Sequence, residues 1–272
     1  MQKIRFLVGL PGTGKSTVSE NLGGNDKNYI INRDNVVDSV CSEFGLNYSE
    51  TFLTPNENSK IGDIEEGMEK YGIVIEIEKP SFMQKNENDK TMLSFSNISK
   101  IREKINIDFQ NLISNSSKQD KPIIVDMTML SISEREDMIK KIKIGNLNKN
   151  FDFSVILFET PSLKIFKGLT EDNKQLKIKE LQNNFSYENY GVFQNHKDIM
   201  ELRNKYLIEN GLPSKEIPIS VFLSLSSRFE MPTKEEGFSN IRIEKPNLSK
   251  FVQNLQSKIE GSLEVRDFVV KK

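Results

Sequence analysis

Five short stretches carry apolar residues in nearly unbroken runs: KIRFLVG at 3–9, NYIIN at 28–32, PIIVDM at 122–127, FSVILFE at 153–159 and NIRIE at 240–244. Runs of this kind suit strands covered on both faces, as in a parallel sheet. Between them the apolar residues recur at spacings of three and four, which predicts helices over Lys15–Asn21, Asp34–Phe44, Ile98–Ser114, Ile132–Ile144, Asp198–Ile208 and Leu248–Ile259. The third is the clearest, with Ile98, Ile101, Ile105, Phe109, Leu112 and Ile113 on one stripe. Strands alternating with helices give an α/β expectation: a three-layer fold around a central parallel sheet. Two segments fit the alternation poorly. Residues 45–97 are rich in Asn, Glu, Pro and Gly and read as an insertion with one hairpin around YGIVIEIE; residues 161–214 are lysine-rich and helical, placed where a lid would sit. No repeat or linker divides the chain, so residues 1–272 are expected to form one domain.

Composition narrows the chemistry mainly by exclusion. With Cys41 as the only cysteine and His196 as the only histidine, neither an internal disulfide nor a Cys/His zinc site can be assembled. A net charge of -1 gives no global basic field, so contact with nucleic acid would need a local groove. The apolar run at the N-terminus is too short for a signal peptide, and no window is apolar enough for a membrane span. No membrane partner is expected, and the expected location is the cytoplasm. Oligomeric state is not readable.

The most informative stretch is GLPGTGKST, Gly9 to Thr17, directly after the first strand. Gly9, Gly14, Lys15 and Ser16 satisfy the phosphate-loop pattern G-x-x-x-x-G-K-[ST]. Glycines let backbone N–H groups converge on phosphates, and the start of a helix adds partial positive charge. Gly12, Thr13, Gly14, Lys15, Ser16 and Thr17 are therefore expected to hold the phosphates of ATP. Lys15 would neutralise the β- and γ-phosphates, and Ser16 would ligate Mg²⁺. Such a metal shell needs a carboxylate at the end of a neighbouring strand, and Asp126 closes PIIVD.

The second strand empties into INRDNVVDSV, which puts Arg33 and Asp34 at its carboxyl end, the edge where α/β sheets bind ligands. Asp34 is the candidate general base, because an attacking alcohol needs an acceptor for its proton and a fixed line of approach. The competing reading is a helix-capping aspartate.

GLPGTGKST, INRD, IIVDMTMLS, RNKY and IPISVFLSLSSRFEMPTKEEGFSNI, in that order, resemble the kinase domain of the polynucleotide 5'-hydroxyl kinases, over about residues 1–44 and 118–245. The resemblance implies a P-loop kinase fold with a helical lid, and transfer of the γ-phosphoryl group of ATP to a hydroxyl of DNA or RNA. It implies Asp34 as general base, Asp126 and Thr128 as the D-x-T strand end beside metal and acceptor, and Arg33 near the acceptor. Arg203 is implied as a lid arginine, a role suited to its fixed fork of donors. Three positions depart from the family: Met129 replaces the asparagine after the D-x-T threonine, Leu207 the second lid arginine, with Lys205 as an alternative substitute for it, and Val37 an acceptor-side arginine of phage-type members. Kinases of hydroxymethylated bases in phage DNA and small-metabolite kinases share the donor-side residues, and stay open as alternatives, as does an ATP-binding protein without transfer. No DxDxT-type phosphatase motif occurs.

Two lysine groups, Lys140, Lys141, Lys143 and Lys149, and Lys164, Lys167, Lys174, Lys177 and Lys179, read first as solvated helix faces and second as contacts for a strand backbone. Tyr48, Phe52, Tyr71, Phe82 and Phe95 could stack an unpaired base or anchor the insertion.

Overall fold

The computed structural model describes residues 1–43, 95–116, 118–144, 149–184, 191–209, 217, 219–247, 249–250, 252–253, 256–257 and 259. These fall into two compact units, one of residues 1–32 with 112–272 and one of residues 33–111.

In the larger unit, β1 (Gln2–Val8), β2 (Tyr29–Ile31), β3 (Ile123–Asp126), β4 (Phe151–Phe158) and β5 (Asn240–Glu244) form one sheet. Its order is β2-β3-β1-β4-β5. Every neighbouring pair is parallel, and the apolar runs of β1, β3 and β4 are largely buried, as covered faces require; the edge strand β5, read from NIRIE as covered on both faces, is instead largely exposed. β1 lies at the centre, with Ile4, Phe6, Leu7 and Val8 fully buried. The Phe6 ring meets Phe153 and Phe238 at centroid distances of 6.3 and 5.4 Å. Truncating such a side chain costs about 3–5 kcal/mol. A three-layer α/β fold of the P-loop kinase-like type is what this sheet and its helices make.

The connections are helical: α1 (Lys15–Asn21), α2 (Gly24–Lys27), α3 (Arg33–Glu43), α4 (Phe95–Ser116), α5 (Ile132–Ile144), α6 (Glu171–Asn184), α7 (Gly191–Glu209) and α8 (Ile219–Ser227). α4 and α7 begin earlier than their apolar periodicity predicts, at Phe95 rather than Ile98 and at Gly191 rather than Asp198. The added turns are largely polar, and hydrophobic spacing does not detect them. The lid-like region is not a free flap. Phe166, Leu181, Ile199, Met200, Phe222 and Leu223 pack into a single apolar cluster, which ties α6 and α7 to α8. Among the described residues no helix is long and apolar enough to cross a membrane.

The smaller unit contains α3 and most of α4. Val37, Val40 and Cys41 pack with Ile101 and Ile105 as its core. Residues 44–94, with the expected hairpin and Tyr48, Phe52, Tyr71 and Phe82, lie outside the described residues, and so does the Phe95 side chain.

Candidate functional site

The loop from Gly9 to Gly14 leaves the carboxyl end of the central strand. Gly12 and Gly14 have φ of 77° and 89°, a left-handed conformation that side-chain-bearing residues avoid. Thr13 is fully buried and donates its hydroxyl to the Leu10 carbonyl at 2.8 Å, bracing the turn from inside. Lys15 opens α1 and is almost wholly buried; its ammonium donates to the carbonyls of Gly9 at 2.9 Å and Leu10 at 2.8 Å. The charge is thus held inside the curve of the loop, where phosphate oxygens would compete for it. Ser16 and Thr17 are exposed on the first turn of α1. That helix has only seven residues, so the loop amides and Lys15 dominate the attraction for anions.

Asp126 ends β3 in register with Leu7 of β1. Its carboxylate is buried and accepts from the Asn32 side-chain amide at 3.2 Å. Sequence reasoning overlooked Asn32; its only trace was its place in the INRD stretch after the second strand. Beyond Asp126 the chain runs without regular structure to α5. Thr128 is half-buried, and its carbonyl accepts the Gly9 N–H at 3.2 Å, which stitches this loop to the phosphate loop.

Met129 has a φ of 45°, the one left-handed position among the described non-glycine residues. Methionine pays about 1–2 kcal/mol there, whereas asparagine, the residue of the resembled family, tolerates it better. The conformation is held by Arg135, whose Nη1 donates to the carbonyls of Met129 at 3.1 Å and Leu130 at 2.9 Å. Arg135 is fully buried and bound on its other edge by Glu236, with Nε to Oε2 at 2.7 Å and Nη2 to Oε1 at 3.0 Å. Glu236 in turn accepts the Thr233 N–H at 2.8 Å in a capping box around the 3₁₀ turn Lys234–Glu236. Glu230 adds two further ties, donating its N–H to the Leu130 carbonyl at 2.9 Å and accepting the Ile132 N–H at 2.8 Å. The RFEMPTKEEGF block therefore clamps the loop that follows Asp126. Nothing in the sequence pattern revealed this, because Arg135 stands among charged residues that read as solvent-facing.

Arg203 is half-buried on α7. That helix packs over the phosphate loop: a Cβ placed on Gly12 would come within 2.8 Å of Met200 Cε and 3.3 Å of Ile199 Cγ2. Arg203 follows these residues at spacings of three and four, on the same helical face.

In the smaller unit Arg33 starts α3, and its guanidinium donates to Asn106 Oδ1 at 3.4 Å. Asp34 is exposed in the first turn of that helix rather than ahead of it, where a carboxylate is still favourable. Val37, at the departure from phage-type members, is fully buried.

Four lysines of the two groups pair with carboxylates close in sequence. Lys141 meets Asp137 at 2.7 Å, Lys164 meets Glu159 at 3.2 Å, Lys174 meets Glu171 at 2.6 Å and Lys177 meets Glu180 at 2.8 Å.

The donor set suits Mg²⁺. Ser16 and Asp126 offer hard oxygens, and Mg²⁺ in phosphate sites takes one or two carboxylates together with phosphate oxygens and water. The glycine turn with its inward lysine suits the phosphates of a nucleotide.

Fold and loop together define a nucleotide-binding P-loop domain of the kinase-like type. A family model for an AAA domain (AAA_33) matches residues 4–175, and the chain belongs to that family. Among solved structures, the PezAT chromosomal toxin-antitoxin system of Streptococcus pneumoniae is similar at 12% identity, over 96% of this chain and 87% of that chain, with a TM-score of 0.33. No curated protein matches.

Proposed function

We propose that the protein is an ATP- and Mg²⁺-dependent kinase that transfers the γ-phosphoryl group to a hydroxyl of a nucleic acid, with a 5'-hydroxyl end as acceptor. The observation that carries this reading is the clamp on the loop that follows Asp126 and Thr128. The block from Arg228 to Phe238, part of the stretch that resembles polynucleotide kinases, holds Leu130, Ile132 and Arg135 just beyond that strand end.

Lys15 and the loop amides hold the donor phosphates. Ser16 and Asp126 would hold Mg²⁺, which when bound supplies charge neutralisation at the phosphate oxygens. Thr128 and Arg33 orient the acceptor. Asp34 takes the proton of the acceptor hydroxyl as its oxygen bonds to the γ-phosphorus. The bond from that phosphorus to the bridging oxygen breaks, and ADP leaves with the electron pair. Arg203, carried by the helix over the loop, offsets charge on the transferring group.

Val37 favours a second reading. A fully buried valine stands where phage-type members carry an acceptor-side arginine, so this position offers no grip on an acceptor phosphate. That suits a small hydroxyl compound, such as a nucleoside, or a hydroxymethylated base within DNA.

Incubation with γ-labelled ATP and a set of acceptors separates the readings. Label at the 5' ends of hydroxyl-terminated oligonucleotides supports the first. Label only on nucleosides or internal modified bases supports the second, and no label on any acceptor overturns both.

A further inference from the structure

The loop after β3 follows directly on Asp126 and carries Thr128, yet its own residues do not fix its shape. Residues 127–131 lie in neither helix nor strand, and Met129 holds a φ of 45°, a conformation that methionine leaves when nothing restrains it. Two restraints flank that angle. The Thr128 carbonyl on one side accepts the Gly9 N–H at 3.2 Å, and the Met129 carbonyl on the other accepts from Arg135 at 3.1 Å. The torsions φ and ψ of residue 129 together set how these two carbonyls are turned relative to one another. Anchoring both carbonyls restrains the pair.

The anchor on the Arg135 side depends on Glu236. Its two oxygens engage Nε and Nη2, which leaves Nη1 aimed at the carbonyls of Met129 and Leu130. The carboxylate is itself held by the Thr233 N–H, so the guanidinium has little freedom to swing.

On the kinase reading above, we propose that Arg135 and Glu236 are positioning residues. They keep residue 129 left-handed and so set where Asp126 and Thr128 stand beside the phosphate loop. Neither touches substrate. Their effect reaches the site through the backbone of the strained loop.

Glu236→Gln keeps the side-chain shape but turns an amide NH₂ toward the guanidinium, which loosens the grip on Arg135. Amide hydrogen exchange at Gly9, whose N–H is bound by the Thr128 carbonyl, reads the loop without any ligand. The expected result is exchange at Gly9 faster by about tenfold than any change at Phe6 in the middle of β1. Adding Met129→Gly, a residue that takes positive φ freely, should return Gly9 protection to within about threefold of wild type without restoring global stability. The Mg²⁺ concentration for half-maximal transfer should follow the same course: raised in Glu236→Gln and lowered again in the double variant.

If Glu236→Gln fails to fold, Glu236→Asp, which draws the carboxylate back from Arg135, and Glu236→Asp/Met129→Gly decide the matter. Positioning predicts that Gly9 exchanges faster in Glu236→Asp and is protected again when Met129→Gly is added. A purely packing role predicts no recovery on adding Met129→Gly, and that outcome overturns the proposal, as does a Gly9 response no larger than that of Phe6. Because the exchange experiment uses neither nucleotide nor acceptor, a chain that transferred no phosphate would overturn the kinase reading and leave the positioning of the loop to be judged on Gly9.

Discussion

Replacing Glu236 by alanine leaves the Arg135 guanidinium fully buried and without its carboxylate. Removing one member of a buried ion pair costs about 3–5 kcal/mol, because the remaining charge stays desolvated. For a domain of this size each kcal/mol moves Tm by about 2–4 °C, so Glu236→Ala should melt about 6–20 °C lower than wild type. Removing both charges should cost less. In Arg135→Met/Glu236→Leu no buried charge is left, and the Leu130 carbonyl keeps the Glu230 N–H at 2.9 Å. The Met129 carbonyl loses its Arg135 donor, a loss of about 1–3 kcal/mol. Urea unfolding of wild type, Arg135→Met, Glu236→Leu and the double variant yields the coupling energy directly. A Glu236→Ala cost below about 1 kcal/mol would refute the reasoning, since exposed pairs cost that little. So would a double variant as unstable as the sum of the two singles.

Lys15→Ala should abolish measurable nucleotide binding by calorimetry while leaving the sheet folded, since the lysine donates to the carbonyls of the phosphate loop itself. Gly12→Ala should weaken nucleotide binding and cost about 1–2 kcal/mol from its φ of 77°. Met200→Ala in the same chain should relieve only the added crowding, because Met200 Cε lies 2.8 Å from the new Cβ position. Tyr29 donates its hydroxyl to the Leu112 carbonyl at 2.9 Å, and burial pushes its pKa above the ordinary tyrosine value. The neutral form is the one the fold favours, so this contribution is complete below the unfolded tyrosine pKa and is lost as pH rises through the raised value. The stability advantage of wild type over Tyr29→Phe, measured by urea unfolding, should therefore be present near pH 8 and shrink by about pH 11; an unchanged difference would contradict it.

The sheet and the phosphate loop were legible because their signals are local. Apolar runs such as FSVILFE and IIVD can only be buried strands in a chain of this composition, and GLPGTGKST leaves few alternatives for the turn that follows β1. Asp126 could be picked out for the same reason, as the polar residue closing an apolar run. Asn32, Arg135, Glu230 and Glu236 could not, since their partners lie across the fold: Arg135 and Glu236 stand 101 residues apart. The RFEMPTKEEGF block had registered only as a family mark, and its physical task appears once Glu230 and Glu236 are seen on the Asp126 loop. Met129 shows the reverse case. It stood out as a departure from the family pattern, and its positive φ shows why asparagine serves better at that turn.

The assignment of Asp34 as the proton acceptor is tested most directly by comparing wild type with Asp34→Ala in two assays run side by side, equilibrium ATP binding and single-turnover transfer to a 5'-hydroxyl oligonucleotide. The account predicts ATP affinity within about twofold of wild type and a transfer rate lower by about 10² to 10⁴. An Asp34→Ala protein that transfers phosphate at the wild-type rate would contradict it.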